Sequence, residues 1–117
     1  MTAEGVAGLP RRFLGGFLLL SLERDGTSYG YELYETVRSV GLAVDLAAVY
    51  RALRTMQQRE LVTSEWVRSL SGPDRRLYSL THSGRREARA AAKELATVRD
   101  GLVAALEYFK APYGSRP

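Results

Sequence analysis

The sequence predicts a mainly α-helical fold with a two-stranded β-hairpin and a long C-terminal helix. Apolar residues recur at helical spacing before and after the middle of the chain. Residues 62–67 are instead rich in β-branched and aromatic side chains, and turn residues separate them from a return strand at 75–80. A chain of 117 residues is long enough for one domain with a core and too short for two.

The first helix is expected to start at Pro10, a favoured first helical residue, and to end near Arg24. It is apolar around much of its circumference, which predicts a central position in the core. Gly15 and Gly16 each lower helix stability by roughly 1 kcal/mol relative to Ala. We therefore expect another helix to cross closely at this pair.

Two shorter helices follow. Residues 25–28 are predicted to form a turn with a Ser or Thr cap, after which the second helix opens at 29–33 and ends near Gly41. Asp45 is expected to cap the third helix. The apolar side chains of the third helix recur at helical spacing at Leu46, Val49, Leu53 and Met56, followed by Leu61.

Residues 62–67 and 75–80 are the predicted strands, joined by the turn residues 71–74. Thr81 is expected to cap a last helix from about 82 to 108. Its apolar residues form a narrow seam, as in a coiled coil: Leu95, Val98, Leu102, Ala105 and Phe109. Because no other element remains to cover this seam, a second copy of the chain is the expected partner.

The expected organisation is a first unit over 10–81 and a dimerisation helix over 82–110 in the same compact body, with flexible ends at 1–9 and 111–117. Arg11 and Arg12 before an apolar run imitate an export signal. The run is shorter than the roughly 20 residues that span a bilayer, and acidic residues follow it in place of a cleavage site. No membrane association is expected. The absence of cysteine suits the cytoplasm, the predicted location.

The composition is ordinary for a globular protein, with 45% hydrophobic and 26% charged residues. The net charge of +4 nevertheless indicates an anionic partner. Arginine supplies 15 of the 17 basic residues, and its guanidinium fork matches phosphate and guanine edges. A GC-rich genome, which favours arginine codons, is the alternative explanation.

The arginines concentrate on the third helix and on the hairpin behind it, a pattern typical of a winged helix-turn-helix that binds duplex DNA. The candidate DNA contacts are Tyr50, Arg51, Arg54, Thr55, Gly72, Arg75 and Arg76. Side chains alternate faces along a strand, so only one of the last two is expected to reach phosphate. The alternative for the helix is a solvated face, with Arg54 or Arg59 paired to Glu60 or a neighbouring acid.

Three segments resemble motifs of the PadR family of bacterial transcriptional regulators. Tyr29-Gly30-Tyr31-Glu32-Leu33 resembles the family's His-Gly-Tyr-Glu-Leu, and Val49-Tyr50-Arg51-Ala52-Leu53 resembles its Leu-Tyr-Arg-Ala-Leu. Residues 72–84 resemble the family's wing and its Leu-Thr-x-x-Gly exit. The likeness covers residues 13–109 and fits the family's branch with a short, single C-terminal helix.

The resemblance implies a homodimeric repressor that reads a pseudo-palindromic operator in double-stranded DNA. It also implies a small planar or aromatic effector near Phe13, Phe17, Trp66 and Leu102. The alternative is that these side chains simply fill the core. Tyr31 and Tyr78 are expected in the core. One departure is that residues 45–50 read Asp-Leu-Ala-Ala-Val-Tyr where the family has Ser or Thr followed by Pro-Gly-Thr-Leu-Tyr, so the side chains of Ala47 and Ala48 cannot donate to phosphate or bases. This departure motivates a second hypothesis, a dimeric adaptor or ligand sensor that has lost specific DNA binding.

The sequence predicts no enzyme. His82 is the only histidine, and no carboxylate cluster or nucleophile motif accompanies it. The serines and aspartates form no recognisable triad, and the glycines form no phosphate loop. No catalytic residue, metal site or cofactor is therefore expected.

Overall fold

The computed structural model describes residues 8–110. Its elements are α1 Leu14–Asp25, β1 Thr27–Tyr29, α2 Gly30–Ser39, α3 Leu46–Gln58, β2 Val62–Val67, β3 Arg75–Leu80 and α4 His82–Lys110. The two hairpin strands have the predicted bounds. The flexible ends predicted at 1–9 and 111–117 lie almost wholly outside the described residues.

The start of α1 differs from the prediction. Pro10 has an extended backbone and precedes a short 3-10 turn at Arg11–Phe13, so the α-helix begins at Leu14. The prediction that Pro10 is the first residue of the helix was therefore wrong by one turn. Proline lacks a backbone N–H, so it fits both the first residue of a helix and an extended residue just before one, and its chemistry alone does not distinguish these positions.

The sheet has three strands in the order β1-β3-β2, all antiparallel. The two predicted strands form the wing, and β1 adds to the other side of β3, where Ser28 pairs with Tyr78. The prediction of a capping turn at 25–28 was therefore only partly right: Gly26, with φ of 82°, makes the turn, and the chain then enters a strand. The Glu32 carboxylate accepts the Tyr29 N–H at 3.0 Å and the Ser28 hydroxyl at 3.2 Å, in place of a Ser or Thr cap.

The other two caps are confirmed. Asp45 Oδ1 accepts the Ala48 N–H at 2.8 Å at the start of α3. Thr81 Oγ1 accepts the Gly84 N–H at 2.9 Å and donates to the Glu60 carbonyl at 2.7 Å. Thr81 therefore both caps α4 and ties its first turn to the end of α3.

The core lies between α1, α2, α3 and the inner face of the sheet. Its fully buried large side chains are Leu18, Leu22, Leu33, Val37, Leu42, Val49, Leu53 and Val62. Tyr78 is buried, as predicted, whereas Tyr31 is 53% exposed and the prediction that it joins the core was wrong. On α2, Leu33 and Val37 point inward, and Tyr31 lies on the far side of the same helix.

The N-terminal half of α4 packs against α1. A Cβ added to Gly16 would lie 3.1 Å from the Ala91 Cβ, so the predicted close crossing is present at this glycine. In the described part of the chain, no atom outside the adjoining backbone of α1 lies within 4 Å of a Cβ built on Gly15, so the crossing does not require this glycine. Arg12 and Glu94 form an ion pair at 3.6 Å beside the crossing.

The C-terminal half of α4 extends beyond the body of the protein. Its 29 residues make a rod about 43 Å long at 1.5 Å per residue. In the predicted seam Leu95 and Val98 are half-buried, whereas Leu102, Ala105 and Phe109 are exposed. Within residues 8–110, no helix is long and apolar enough to span a membrane.

Candidate nucleic-acid interface

Helix α3 buries one face and exposes a basic one. Val49, Leu53 and Met56 face the core, and residues three and four apart on the opposite face bring Arg51, Arg54 and Thr55 together in solvent. Among residues 8–110, no carboxylate lies within ion-pair distance of Arg51 or Arg54, so their charges are free to meet an external anion. Within residues 8–110, Arg59 pairs with Glu87 of α4 at 3.9 Å and not with Glu60.

The start of α3 differs little from the surface the family motif implies. The Asp45 carboxylate accepts the hydrogen bond that caps the helix, and Ala48 is buried, with 7% of its surface exposed. Of the two alanines that depart from the motif, only Ala47 is exposed to solvent. The departure therefore removes at most one polar side chain from the exposed face.

Two of the motifs meet at Tyr50. A Cβ added to Gly30 would lie 2.8 Å from Tyr50 Cζ and 2.9 Å from its hydroxyl oxygen. The first residue of α2 must therefore lack a side chain for the Tyr50 ring to hold its place on α3. The ring remains 40% exposed beside the basic face.

The wing presents its two arginines differently. Arg75 is exposed, and its guanidinium carbon lies 4.0 Å from the centroid of the Tyr29 ring. Arg76 is half-buried and donates to Ser64 Oγ at 2.6 Å and to Gln57 Oε1 at 3.4 Å. At the tip, Gly72 is exposed, and only Ser69 Oγ, at 3.8 Å, comes within 4 Å of a Cβ built on it.

Helix α3 and the wing enclose a cleft of about 640 Å³, the helix–wing cleft. Its lining includes three arginines, Arg54, Arg75 and Arg76, against a single acid, Asp74. The Asp74 carboxylate accepts the Ser69 N–H at 3.1 Å. The cleft is therefore strongly basic.

Aromatic side chains complete the helix–wing cleft. They include Tyr29, Tyr31 and Trp66, and the Trp66 ring is 66% exposed. Burial raises the pKa of the Tyr78 hydroxyl above its ordinary value, while the charge of Arg76 acts in the opposite direction. The sequence patterns did not identify Tyr29, Tyr31 or Gln57 as cleft residues, because the cleft is lined by stretches of the chain that are far apart in sequence.

The candidate effector residues do not all lie together. Phe13 and Phe17 stack with ring centroids 6.1 Å apart, and Phe17 lines a groove of about 300 Å³ with Leu20 and Val40. Trp66 lines the helix–wing cleft instead, and Leu102 is on the exposed half of α4.

Nothing in the described part of the chain resembles a catalytic or metal centre. His82 is exposed at the first position of α4. Among residues 8–110, no group of His, Cys, Asp and Glu side chains is arranged to hold a metal ion.

Comparison with known proteins agrees with this architecture. The model of the Transcriptional regulator PadR-like family matches residues 18–90, more than half of the chain. No match to a curated protein was found.

A PadR family transcription regulator from Clostridium difficile R20291 is 25% identical, with a TM-score of 0.67, over 79% of this chain and 97% of that one. A PadR family transcriptional regulator from Eggerthella lenta is 28% identical, with a TM-score of 0.65, over 83% and 85%. Bacillus subtilis PadR, solved in complex with operator DNA, shares the fold at 19% identity and a TM-score of 0.57, over 64% of this chain and 44% of that one. The mainly helical winged helix-turn-helix fold and the match over residues 18–90 show that the chain belongs to the PadR-like family of transcriptional regulators and is not an enzyme.

Proposed function

We propose that this transcriptional regulator is a homodimeric repressor that binds a pseudo-palindromic operator and is released by a small-molecule effector. The observation that carries the DNA-binding part is that Arg51 and Arg54 lie on the exposed face of α3, beside a basic cleft, with no ion-pair partner among residues 8–110. Solvated cations held on a rigid helix are what a phosphate backbone and guanine edges require. A regulator of this kind works on DNA in the cytoplasm.

The shape of duplex DNA assigns roles to the two sides of the helix–wing cleft. When a helix enters the major groove and a wing reaches the neighbouring minor groove, the sugar–phosphate strand between the grooves passes between them. Arg54 on the helix side and Arg75 on the wing side flank this path. Tyr50, Arg51 and Thr55 face the groove, and Gly72 allows the wing tip to approach the backbone closely.

Bacillus subtilis PadR, whose fold this chain shares, was solved in complex with operator DNA, which supports DNA as the partner of this fold. The hypothesis of an adaptor without DNA binding rested on Ala47 and Ala48. It is weakened because Ala48 is buried and offers no surface to DNA.

The homodimer is supported by the apolar surface at the end of α4. Leu102, Val103, Leu106 and Phe109 are all more than half exposed. An apolar stripe of this size on a regular helix is typical of an association surface, and a second α4 is the partner that matches its length and pattern. Pairing through α4 holds two recognition helices about one DNA turn apart.

Repression follows from occupancy of the promoter, and an effector relieves it by favouring a dimer with a different separation of the recognition helices. The resemblance supports a planar or aromatic effector where α1 meets the paired α4 helices. The Phe13 and Phe17 stack is the candidate for contact with it, because Arg12, 4.4 Å from the Phe13 ring centroid, is also the residue that pairs with Glu94 of α4. A ligand panel that shifts neither the melting temperature nor operator affinity would exclude the effector.

The test of DNA binding is a gel shift on the region upstream of the protein's own gene, with competitor DNA and a series of salt concentrations. Arg54→Ala is expected to weaken specific binding and, if Arg54 contacts phosphate, to reduce the log–log salt slope by about 0.9. Arg24→Ala is the matched control, because Arg24 is an exposed arginine at the end of α1, away from the cleft. Equal binding by both variants and the parent removes Arg54 from the interface, and binding that competitor DNA abolishes supports the adaptor instead.

The test of the dimer is sedimentation equilibrium at micromolar concentration. Leu102→Glu places a charge in the proposed seam and is expected to yield the monomer mass, whereas Thr97→Glu places the same charge on another face of α4 and is expected to leave the dimer intact. A parent chain that sediments as a monomer contradicts the proposal.

A further inference from the structure

The two wing arginines are neighbours in sequence but have different surroundings. Arg75 is exposed, and among residues 8–110 its charge has no ion-pair partner. Arg76 turns toward α3 because adjacent residues of β3 point to opposite faces of the sheet. Its guanidinium is therefore held by the protein, whereas that of Arg75 is held only against the Tyr29 ring, at 4.0 Å.

Arg76 is part of a hydrogen-bonded triangle that joins the recognition helix to both strands of the wing. Its Nη2 donates to Ser64 Oγ of β2 at 2.6 Å and to Gln57 Oε1 of α3 at 3.4 Å. Ser64 Oγ also donates to Gln57 Oε1, at 3.0 Å. We call these three residues the Gln57–Ser64–Arg76 network.

Aromatic rings restrict the guanidinium further. Its carbon lies 5.3 Å from the centroid of Trp66, the cross-strand neighbour of Arg76, and 6.0 Å from that of Tyr78. Within residues 8–110 no carboxylate pairs with Arg76, and its Nε is buried without a hydrogen-bond partner. Half-burying a cation without a counter-charge is unfavourable, so the position is not explained by charge pairing. The arginine side chain is, however, long enough to extend from β3 to α3 and form a hydrogen bond there.

We propose that Arg76 is a positioning residue, which fixes the wing against α3 through Gln57 and Ser64, and that Arg75 is the wing arginine that meets phosphate. This inference rests on the proposed DNA binding. With the network intact, helix and wing approach the duplex as one rigid surface, and no free energy is lost in ordering the wing on binding. Without it, every DNA contact made by the wing is weakened, although no phosphate contact is removed.

Salt dependence distinguishes the two roles. Operator affinity is measured across a salt series for the parent, Arg76→Met and the matched control Arg75→Met, which removes the same charge from the next residue. Arg75→Met is expected to reduce the log–log slope by about 0.9, as for one lost phosphate contact. Arg76→Met is expected to keep the parent slope and to bind about tenfold more weakly at every salt concentration, the scale of ordering one or two interface side chains. A reduced slope for Arg76→Met overturns the proposal.

Two further variants test the network itself. Gln57→Ala is expected to reproduce the Arg76→Met defect, and the double variant is expected to be no worse than either single one, because both break the same unit. Additive defects contradict a shared network. Arg76→Lys keeps the charge but not the fork, so it is expected to remain impaired with the parent slope, and it replaces Arg76→Met if that variant does not fold. Full affinity for Arg76→Lys shows that charge alone matters and overturns the proposal.

A measurement without DNA separates this inference from the proposed function. Trp66 is the only tryptophan and packs on Arg76, so its fluorescence anisotropy reports the mobility of the wing. We expect the anisotropy to fall in Arg76→Met and to be unchanged in Arg75→Met. If the parent does not bind DNA, the proposed function fails, but the anisotropy still decides whether Arg76 holds the wing: equal values in all three proteins mean that it does not.

Discussion

Substituting Gly84, in the first turn of α4, tests how closely this helix must approach the chain just after α3. A Cβ added to Gly84 would overlap the carbonyl oxygen of Leu61 and would lie 3.0 Å from its carbon and 3.1 Å from Leu80 Cδ2. The same carbonyl accepts the Thr81 N–H at 3.0 Å, so it cannot move aside without breaking that bond. Overpacking costs typically 1–3 kcal/mol, and a backbone atom that cannot rotate away places Gly84→Ala at the upper end, about 2–3 kcal/mol. This exceeds the gain of up to about 1 kcal/mol that a helical Gly→Ala change otherwise brings.

Guanidinium unfolding of Gly84→Ala and of the parent, at one protein concentration, measures this difference. The midpoint is expected to fall with an unchanged slope. The matched control is Gly101→Ala on the same helix, because no atom lies within 4 Å of a Cβ at Gly101. It is expected to stabilise the protein by about 0.5–1 kcal/mol. The reasoning is refuted if Gly84→Ala is as stable as the parent, or if both variants gain stability.

Three other changes have defined outcomes. Asp45→Ala removes the cap of α3 and is expected to lower the free energy of unfolding by about 0.5–2 kcal/mol, which chemical denaturation checks; no change would mean that another group replaces the cap. Gly30→Ala displaces the far end of the Tyr50 side chain, which can rotate outward, so operator affinity in a gel shift should fall by the same factor as in Tyr50→Ala while the melting temperature changes little. Because the pKa of Tyr78 is raised from 10.0 in the fold, the unfolded chain ionises first, and stability is lost as pH rises from about 10 toward the folded value. The melting temperature between pH 8 and 11 should therefore fall more steeply for the parent than for Tyr78→Phe, and parallel curves would contradict the shift.

Local chemistry accounts for the elements that the sequence predicted well. Asp45 and Thr81 cap helices with bonds to residues only three positions away, so their roles depend little on the rest of the fold. The strand at 62–67 shows β-branched and aromatic enrichment, and the turn residues after it mark 75–80 as its return strand.

The elements that the sequence did not predict depend on distant partners. The three residues of β1 are too few to show a period, and they become a strand because β3, some fifty residues later, offers a free edge. Tyr31 was expected in the core as a hydrogen-bonded tyrosine, although its angular position on α2, opposite Leu33, already favoured exposure.

The candidate site was predicted to a similar extent. Helical spacing placed Arg51 and Arg54 on one exposed face, as the structure has them. Alternation along β3 predicted that Arg75 and Arg76 would differ, but their surroundings could not be assigned, because the partners that hold Arg76, Ser64 of β2 and Gln57 of α3, are distant in sequence. The helix–wing cleft was not anticipated, since its walls come from four separate stretches of the chain.

The strand order has a mechanical consequence for this protein. Because β3 lies between β1 and β2, the hairpin is not a flap hinged on one side, and raising it would also strip backbone bonds from β1. Since β1 leads without a break into α2, any strain applied to the hairpin by a bound duplex is passed directly to the first turn of that helix. Strand β3 is thus hydrogen-bonded on both sides, and its amide hydrogens should be among the slowest to exchange in this part of the molecule.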